Sequence, residues 1–342
     1  MDEGTKVTAA TAGDEDAFRS LVEPLRQELH LFCYRMLGSF HEAEDAVQET
    51  LLKAWRGLAA YDRRASFRTW LYTIAANVSR DALRSRRRRL LPQDLGSASE
   101  AASGLGPARH DVAWLEPYPD AFLSRADPHE AVELRESVSL AFVRVLQVLP
   151  PRQRATLILR DVLGWSAAEV AAVLETSTQA ANSALQRARA TLTSSKVASL
   201  GRAPARELDA DRAAMASRYV AAWEQGDMDA IVSMLTADAT HAMPPYAAWF
   251  FGRDALRAVY SSYEIWNGRP GPGAFRVLPT VLNGQLGFAE YGRSELSGAY
   301  EPVALTLVAL DPAGTHIAEK VSFVQSELFA MMGFPPVLPG NG

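Results

Sequence analysis

Phe67-Arg68-Thr69-Trp70-Leu71-Tyr72-Thr73-Ile74-Ala75 runs on through Asn77, Arg80, Asp81 and Arg84 to Arg89 with no Gly or Pro to interrupt it. Phe67, Trp70, Leu71, Ile74, Ala75 and Val78 recur at helical spacing, which predicts a buried stripe. Ser66 can cap the helix. Asn77, Arg80, Asp81 and Arg84 fall at i, i+3, i+4 and i+7 on one polar face. Amide, carboxylate and guanidinium groups read base edges, and the arginines at 84, 86, 87, 88 and 89 can neutralise phosphates. Tyr61, Phe67 and Trp70 stand where unstacked bases could be gripped. Aromatics at this spacing also serve as ordinary core.

Upstream, Ala43, Ala46, Val47, Thr50, Leu51, Ala54, Trp55 and Leu58 give a second helical stripe. The opposite face carries Glu42, Asp45, Gln48 and Glu49, with Lys53 and Arg56 a turn later. Acid first and base last suits the helix dipole, so a plain surface helix and an acidic docking face both fit. Downstream, Ser166-Ala167-Ala168-Glu169 is a capping box that opens a short helix. Glu175-Thr176 turns the chain, Ser177 can cap, and a second helix is expected to about Leu192. Ala181, Ala184, Leu185, Ala188 and Leu192 are its apolar side. Gln179, Asn182, Ser183, Gln186, Arg187 and Arg189 are exposed. A short helix, a tight turn and a polar-faced helix can enter a major groove, although structural helix pairs share this pattern.

Between these blocks, residues 90 to 130 are rich in Pro, Ser, Gly and Ala. They read as a linker of about forty flexible residues whose Trp114 and Tyr118 suggest a docking point. A second linker is expected at 196 to 207. From 208 onward, helices give way to apolar stretches rich in β-formers, with Gly-Pro turns at 268 to 273 and a turn at Asp311-Pro312-Ala313-Gly314. The net charge of −5 divides unevenly. Residues 1–204 hold 26 Lys and Arg against 25 Asp and Glu, and the remainder hold 9 against 15. The basic charge is therefore concentrated in the first part, and local clustering governs DNA affinity. No apolar run approaches the ~20 residues of a membrane helix, and Met1 to Asp16 is polar and acidic, so a cytoplasmic protein is expected. The single cysteine, Cys33, allows no intramolecular disulfide and no metal signature, and it reads as a buried structural thiol.

Three motifs together resemble the extracytoplasmic-function sigma factors of RNA polymerase. Glu44-Asp45-Ala46-Val47-Gln48-Glu49-Thr50 with Lys53-Ala54-Trp55 resembles the region that grips the polymerase clamp helices. Phe67 to Ala75 with Asn77 and Arg80 resembles the promoter-melting, minus-ten-reading helix. Leu149-Pro150-Pro151-Arg152-Gln153-Arg154 through Asp161, Gly164-Trp165-Ser166 and Ala184 to Arg189 resembles region four, which binds the minus-thirty-five element. The resemblance implies core-polymerase contacts at Asp45, Gln48, Glu49 and Leu52. It also implies DNA contacts at Tyr61, Arg64, Asn77, Arg80, Arg84, Arg88, Gln179, Asn182, Ser183, Gln186 and Arg187. The implied partners are the clamp helices and β flap of core polymerase and promoter DNA, with no cofactor and no membrane. Asn182 and Ser183 are neutral where many members are basic, and the linker is long for the family.

The C-terminal part resembles the NTF2/SnoaL-like fold through Arg218 to Trp223, Gly226 to Ile231, Leu235 to Thr240, Met243-Pro244-Pro245-Tyr246, Trp249 and Phe251 to Leu256. Sigma factors with this appendage form a sigma-G and sigma-J type subset, which Trp114 to Asp120 also resembles. The implied architecture is multidomain. An all-α region 2 over 14–90 and a linker over 91–130 precede an all-α helix-turn-helix region 4 over 131–196. An α+β cone follows over 208–335. Relatives of the cone fold include enzymes with a pocket acid or base, for which His241, Tyr246, Glu290 and Tyr291 are candidates. No spaced Asp/His pair demands catalysis, and His241 on a strand reads as a satisfied core or rim histidine. His241, Met243, Tyr246, Trp249 and Tyr291, with Phe250, Phe251 and Trp266, could line a pocket for a small ligand or simply fill the cone. A regulatory domain acting in cis is the favoured reading. The alternatives are a ligand-responsive helix-turn-helix regulator and a SnoaL-type enzyme fused to a DNA-binding module.

Overall fold

The structure is a computed structural model that describes residues 2–85, 88–123, 137–194, 209–262 and 271–340. Arg86, Arg87, Trp266 and the linker expected at 196–207 lie outside the described residues. The chain forms two compact units, each discontinuous in sequence: 1–89 with 140–200, and 90–139 with 201–342.

The first unit opens with α1 (Glu3–Thr11), α2 (Glu15–Leu37), α3 (Phe40–Gly57) and α4 (Phe67–Ser85). Each of the first three starts on a side-chain cap, from Asp2, Asp14 and Ser39, which satisfies an amide the helix leaves open. Gly38 ends α2 at φ 72, the left-handed position that glycine occupies without a Cβ clash. Ala43, Ala46, Val47, Thr50 and Ala54 of α3 are buried as the stripe requires. On α4, Phe67, Leu71, Ala75 and Val78 are buried, and so are Tyr72, Ala76 and Ser79. This helix is covered on more than one face.

The second cover comes from the distant helical block: α5 (Leu140–Leu146), α6 (Pro151–Leu157), α7 (Ala167–Val173) and α8 (Thr178–Ser194). A wide turn at Ile158–Val162 separates α6 from α7, with the Leu163 N–H reaching back five residues to Ile158. Trp165 lies against Tyr72 at 4.7 Å between ring centroids and under the Arg68 guanidinium at 4.8 Å. Arg154, buried, donates to the Met36 carbonyl at the end of α2, to Gln147 Oε1 at 2.6 Å and to the Leu149 carbonyl at 3.1 Å. A cation there meets the negative end of the α2 dipole. Desolvation, reinforced by Arg88, lowers its pKa to about 9.

The second unit holds α9 (Asp209–Gln225), α10 (Met228–Ser233), β1 (Leu235–Ala242), β2 (Trp249–Phe251), α11 (Arg253–Tyr260), β3 (Phe275–Leu282), β4 (Gln285–Arg293), β5 (Tyr300–Leu310), β6 (Ile317–Phe323) and α12 (Glu327–Met331). The strands form one sheet in the order β2-β1-β6-β5-β4-β3, antiparallel except for β1 against β6. Met215, Tyr219 and Trp223 of α9 join Leu256, Val259 and Tyr260 of α11 in its core.

The segment from 90 to 123 departs from the flexible linker expected of its composition. Leu90 bridges to Trp114, and Ala101 and Leu105 pack on the core of the sheet domain. Trp114, Leu115 and Tyr118 are buried. Composition alone suggested a solvated chain, but burying three large apolar side chains offsets the entropy of ordering it.

Candidate polymerase and nucleic-acid interface

On α3, Asp45, Gln48 and Glu49 are exposed on one face, and Leu52 beside them is 44% exposed. A single exposed leucine is ordinary on a free surface, so it is its place beside Asp45, Gln48 and Glu49 that makes this face a candidate contact. Glu49 holds only an exposed ion pair to Lys53 at 3.3 Å. Glu42, on the same helix, is instead taken by Arg89 at 2.5 Å. That removes Arg89 from the set of phosphate-neutralising arginines expected after α4.

Asn77 and Arg80 are half-buried and bonded to each other, Arg80 Nη2 donating to Asn77 Oδ1 at 2.6 Å. Arg84 is exposed and pairs with Asp81 at 3.2 Å, and Arg88 is exposed. Tyr61 stacks on Trp70 at 5.0 Å and 27°, with Phe67 edge-on at 5.8 Å. Arg64, exposed, pairs with Asp62 at 3.1 Å. Phe67 is buried beneath the half-buried Tyr61 and Trp70 rings, while Arg64 of the loop and Arg84 and Arg88 beyond them are exposed.

The capping box forms as expected: the Ser166 amide donates to Glu169 Oε2 at 2.8 Å, and Glu169 N–H to Ser166 Oγ at 3.2 Å. Glu175 turns the chain at φ 48. On α8, Ala181, Ala184, Leu185 and Ala188 are buried, while Gln179, Asn182, Gln186 and Arg187 are exposed and Ser183 is half-buried. Arg189 points elsewhere: it grips Asp161 with two hydrogen bonds of 2.9 and 2.6 Å and so braces α8. A short helix, a tight turn and a longer helix with an open polar face make a helix-turn-helix.

Family models match in the same places: Sigma-70 region 2 over residues 21–89, Sigma-70 region 4 over 139–192, and a SnoaL-like domain over 216–309. The chain is 42% identical to the ECF RNA polymerase sigma factor SigG of Mycobacterium tuberculosis, over 97% of this chain and 89% of that one. It belongs to the extracytoplasmic-function sigma factors. The sigma factor is also similar to SigJ of the same organism, 31% identical over 84% of this chain and 85% of that one. The crystal structure of M. tuberculosis SigJ matches with a TM-score of 0.55 at 26% identity, covering 93% of this chain and 99% of that one. The sigma factor thus directs RNA polymerase to promoters through helical regions 2 and 4, and a mixed α/β domain follows them. Among the described residues no helix is long and apolar enough to cross a membrane.

The five pocket candidates of the sigma factor have separate fates. His241 is buried, with Nε2 2.9 Å from Ser322 Oγ and Nδ1 3.1 Å from the Tyr260 hydroxyl. Burial and nearby Lys320 push its pKa well below the ordinary value, so the ring is neutral. Met243 belongs to the core. Tyr291 lies apart: its hydroxyl donates to the Pro335 carbonyl at 2.9 Å and its ring meets Phe329 of α12. Trp249 and Tyr246 meet the linker. Trp249 Nε1 donates to the Gly96 carbonyl at 3.0 Å, the Ser99 N–H donates to the Trp249 carbonyl at 2.7 Å, and Ala108 bridges to Tyr246. None of the five borders the shallow groove of about 630 Å³ beside Ala216, Val220, Glu224 and Pro279.

Sequence reasoning named Glu290 as a candidate acid or base and missed its partner in the charged centre of this domain, Lys320. Lys320 is buried with its Nζ 3.6 Å from Glu290 Oε1 and 4.4 Å from the Trp223 ring. Glu290 also accepts from the Tyr219 hydroxyl at 2.6 Å. Burial lowers the Lys320 pKa, and the Glu290 carboxylate opposes that shift. Period-2 alternation on β6 put Lys320 on one face with Ser322, a signal that was legible but not used.

Proposed function

We propose that Asp45, Gln48, Glu49 and Leu52 bind core polymerase. In this reading Tyr61, Arg64, Asn77, Arg80 and Arg84 open and read the minus-ten element, and Gln179, Asn182, Ser183, Gln186 and Arg187 read the minus-thirty-five element. The observation that carries it is the coexistence of an exposed acidic α3 face, an aromatic-cationic α4 surface and an open polar α8 face. A simple repressor needs only the last. Such a factor works in the cytoplasm, where polymerase and promoter DNA are. The test is run-off transcription with core polymerase on a promoter library: a selected minus-thirty-five and minus-ten pair supports the assignment, and transcription without selection removes it.

The C-terminal domain regulates in cis. A compact body of about 150 residues has a radius of gyration of roughly 15 Å. Elements about 25 base pairs apart lie roughly 85 Å apart at ~3.4 Å per pair. With Trp165 against Tyr72, regions 2 and 4 cannot reach both at once, so promoter binding requires them to part. The linker between them is held by the C-terminal domain through Tyr118 and Gly96, and this supports the reading that the domain controls the separation. Regulation is favoured over catalysis because Glu290 and both His241 nitrogens are already engaged by neighbouring side chains.

A further inference from the structure

The hairpin between β3 and β4 turns at Asn283 and Gly284, at φ 55 and 68. The Asn283 side chain is fully buried and does two things at once. Its Oδ1 accepts from the Tyr118 N–H at 2.7 Å, and its Nδ2 donates to the Val138 carbonyl at 2.6 Å. Its own N–H donates to the Tyr118 carbonyl at 2.8 Å, and the Gly284 N–H donates to Asp120 Oδ1 at 2.7 Å. One amide thus holds two points of the linker that are 20 residues apart in sequence. The second of them, Val138, lies just ahead of the region 4 match at 139–192 and two residues ahead of Leu140, where α5 opens, later than the start at 131 expected from the sequence.

We propose that this hairpin tip is a docking surface for the chain's own linker, and that Asn283 is the catch which sets how far region 4 can travel from region 2. The proposal rests on regulation in cis by the C-terminal domain and names its contact. With the catch closed, Tyr118 and Val138 are pinned to one hairpin tip, so the chain between them adds nothing to the reach of region 4. Opened, 20 residues can extend by up to ~70 Å, on the scale of the promoter spacing. Asparagine suits the position chemically: it tolerates a left-handed backbone and carries both a donor and an acceptor. A carboxylate there would keep the acceptor for Tyr118 and set an anion against the Val138 carbonyl. Core polymerase and promoter DNA bind only the open form and draw the equilibrium toward it by mass action.

The experiment uses the full chain and a reporter cysteine. Cys33 is buried with its thiol pushed up to about 12 by desolvation, so it stays silent. Val138 is buried, and in V138C the labelling rate of the new thiol measures opening. Core polymerase with promoter DNA is expected to speed V138C labelling at least tenfold, with Asn283 intact. N283D is expected to speed it at least tenfold without either, while circular dichroism stays unchanged. Unchanged labelling on adding polymerase and promoter overturns the catch, whatever N283D does. Faster labelling in N283D, with run-off transcription within twofold both in N283D and after deletion of 208–342, overturns cis regulation and the catch with it. If only the deletion alters transcription, the catch falls and cis regulation stands.

Discussion

Leu52 belongs to the polymerase contact proposed on α3. Its exposure costs the free protein little, yet its neighbours Asp45 and Glu49 make the patch acidic as well as apolar. D45R with E49R is expected to weaken core-polymerase binding by more than tenfold, because like charges across an interface cost several kcal/mol. A pull-down titration in which affinity holds, with normal circular dichroism, would remove α3 from the interface. The residues proposed to face DNA divide by chemistry. N182A should relax preference at one position at a cost of ~1–3 kcal/mol, whereas R88A should weaken all sequences alike and flatten the salt dependence. Identical preference profiles for the two variants would refute that division. His30 sets an acid limit. Burial lowers its pKa to about 4 despite the nearby Glu44. A base depressed in the fold leaves stability intact above the unfolded value of about 6.5 and loses it as pH falls through the folded one. That amounts to roughly 3 kcal/mol by pH 4. Urea titrations at pH 7 and pH 4 should show a smaller difference between the two in H30Q than in the parent.

The elements differ in how far the sequence disclosed them. The stripes of α3 and α4, the capping box of α7 and the polar face of α8 were legible because period and caps are local properties. The second buried face of α4 was not: Tyr72 is covered by Trp165, more than 90 residues downstream, and Ser79 meets Cys33 of α2, and no local pattern encodes either. Composition misled at 90–123, since Pro and Gly set backbone stiffness while Trp114, Leu115 and Tyr118 decide burial. Asn283-Gly284 announced a hairpin tip, but nothing near it names the residues its amide would hold. Among the element contacts, α6 on the end of α2 is the one most dependent on a single side chain. R154M is expected to destabilise the first unit by ~2–4 kcal/mol, because Met36 and Leu149 keep buried carbonyls without their donor. A urea midpoint within error of the parent would show that those carbonyls find another partner.

At the scale of the whole molecule, removing residues 208–342 takes away Asn283, which holds Tyr118, and Trp249, which holds Gly96 and Ser99, and is expected to free the linker. Run-off transcription is expected to change by more than twofold, and small-angle scattering to show a wider spread of distances between the sigma regions. Constancy in both measurements would return the domain to the enzyme reading. The interleaving of the two units also has a consequence in time. Tyr118 and the Asn283 that holds it are 165 residues apart, and a ribosome adding ~5–20 residues per second needs roughly 8–33 s to pass from one to the other. During that interval the nascent chain has both promoter-reading regions emerging and no hairpin to hold the segment between them. If the catch restrains the finished chain, each new molecule passes through an unrestrained stage, and a product truncated before Asn283 is expected to stay in it.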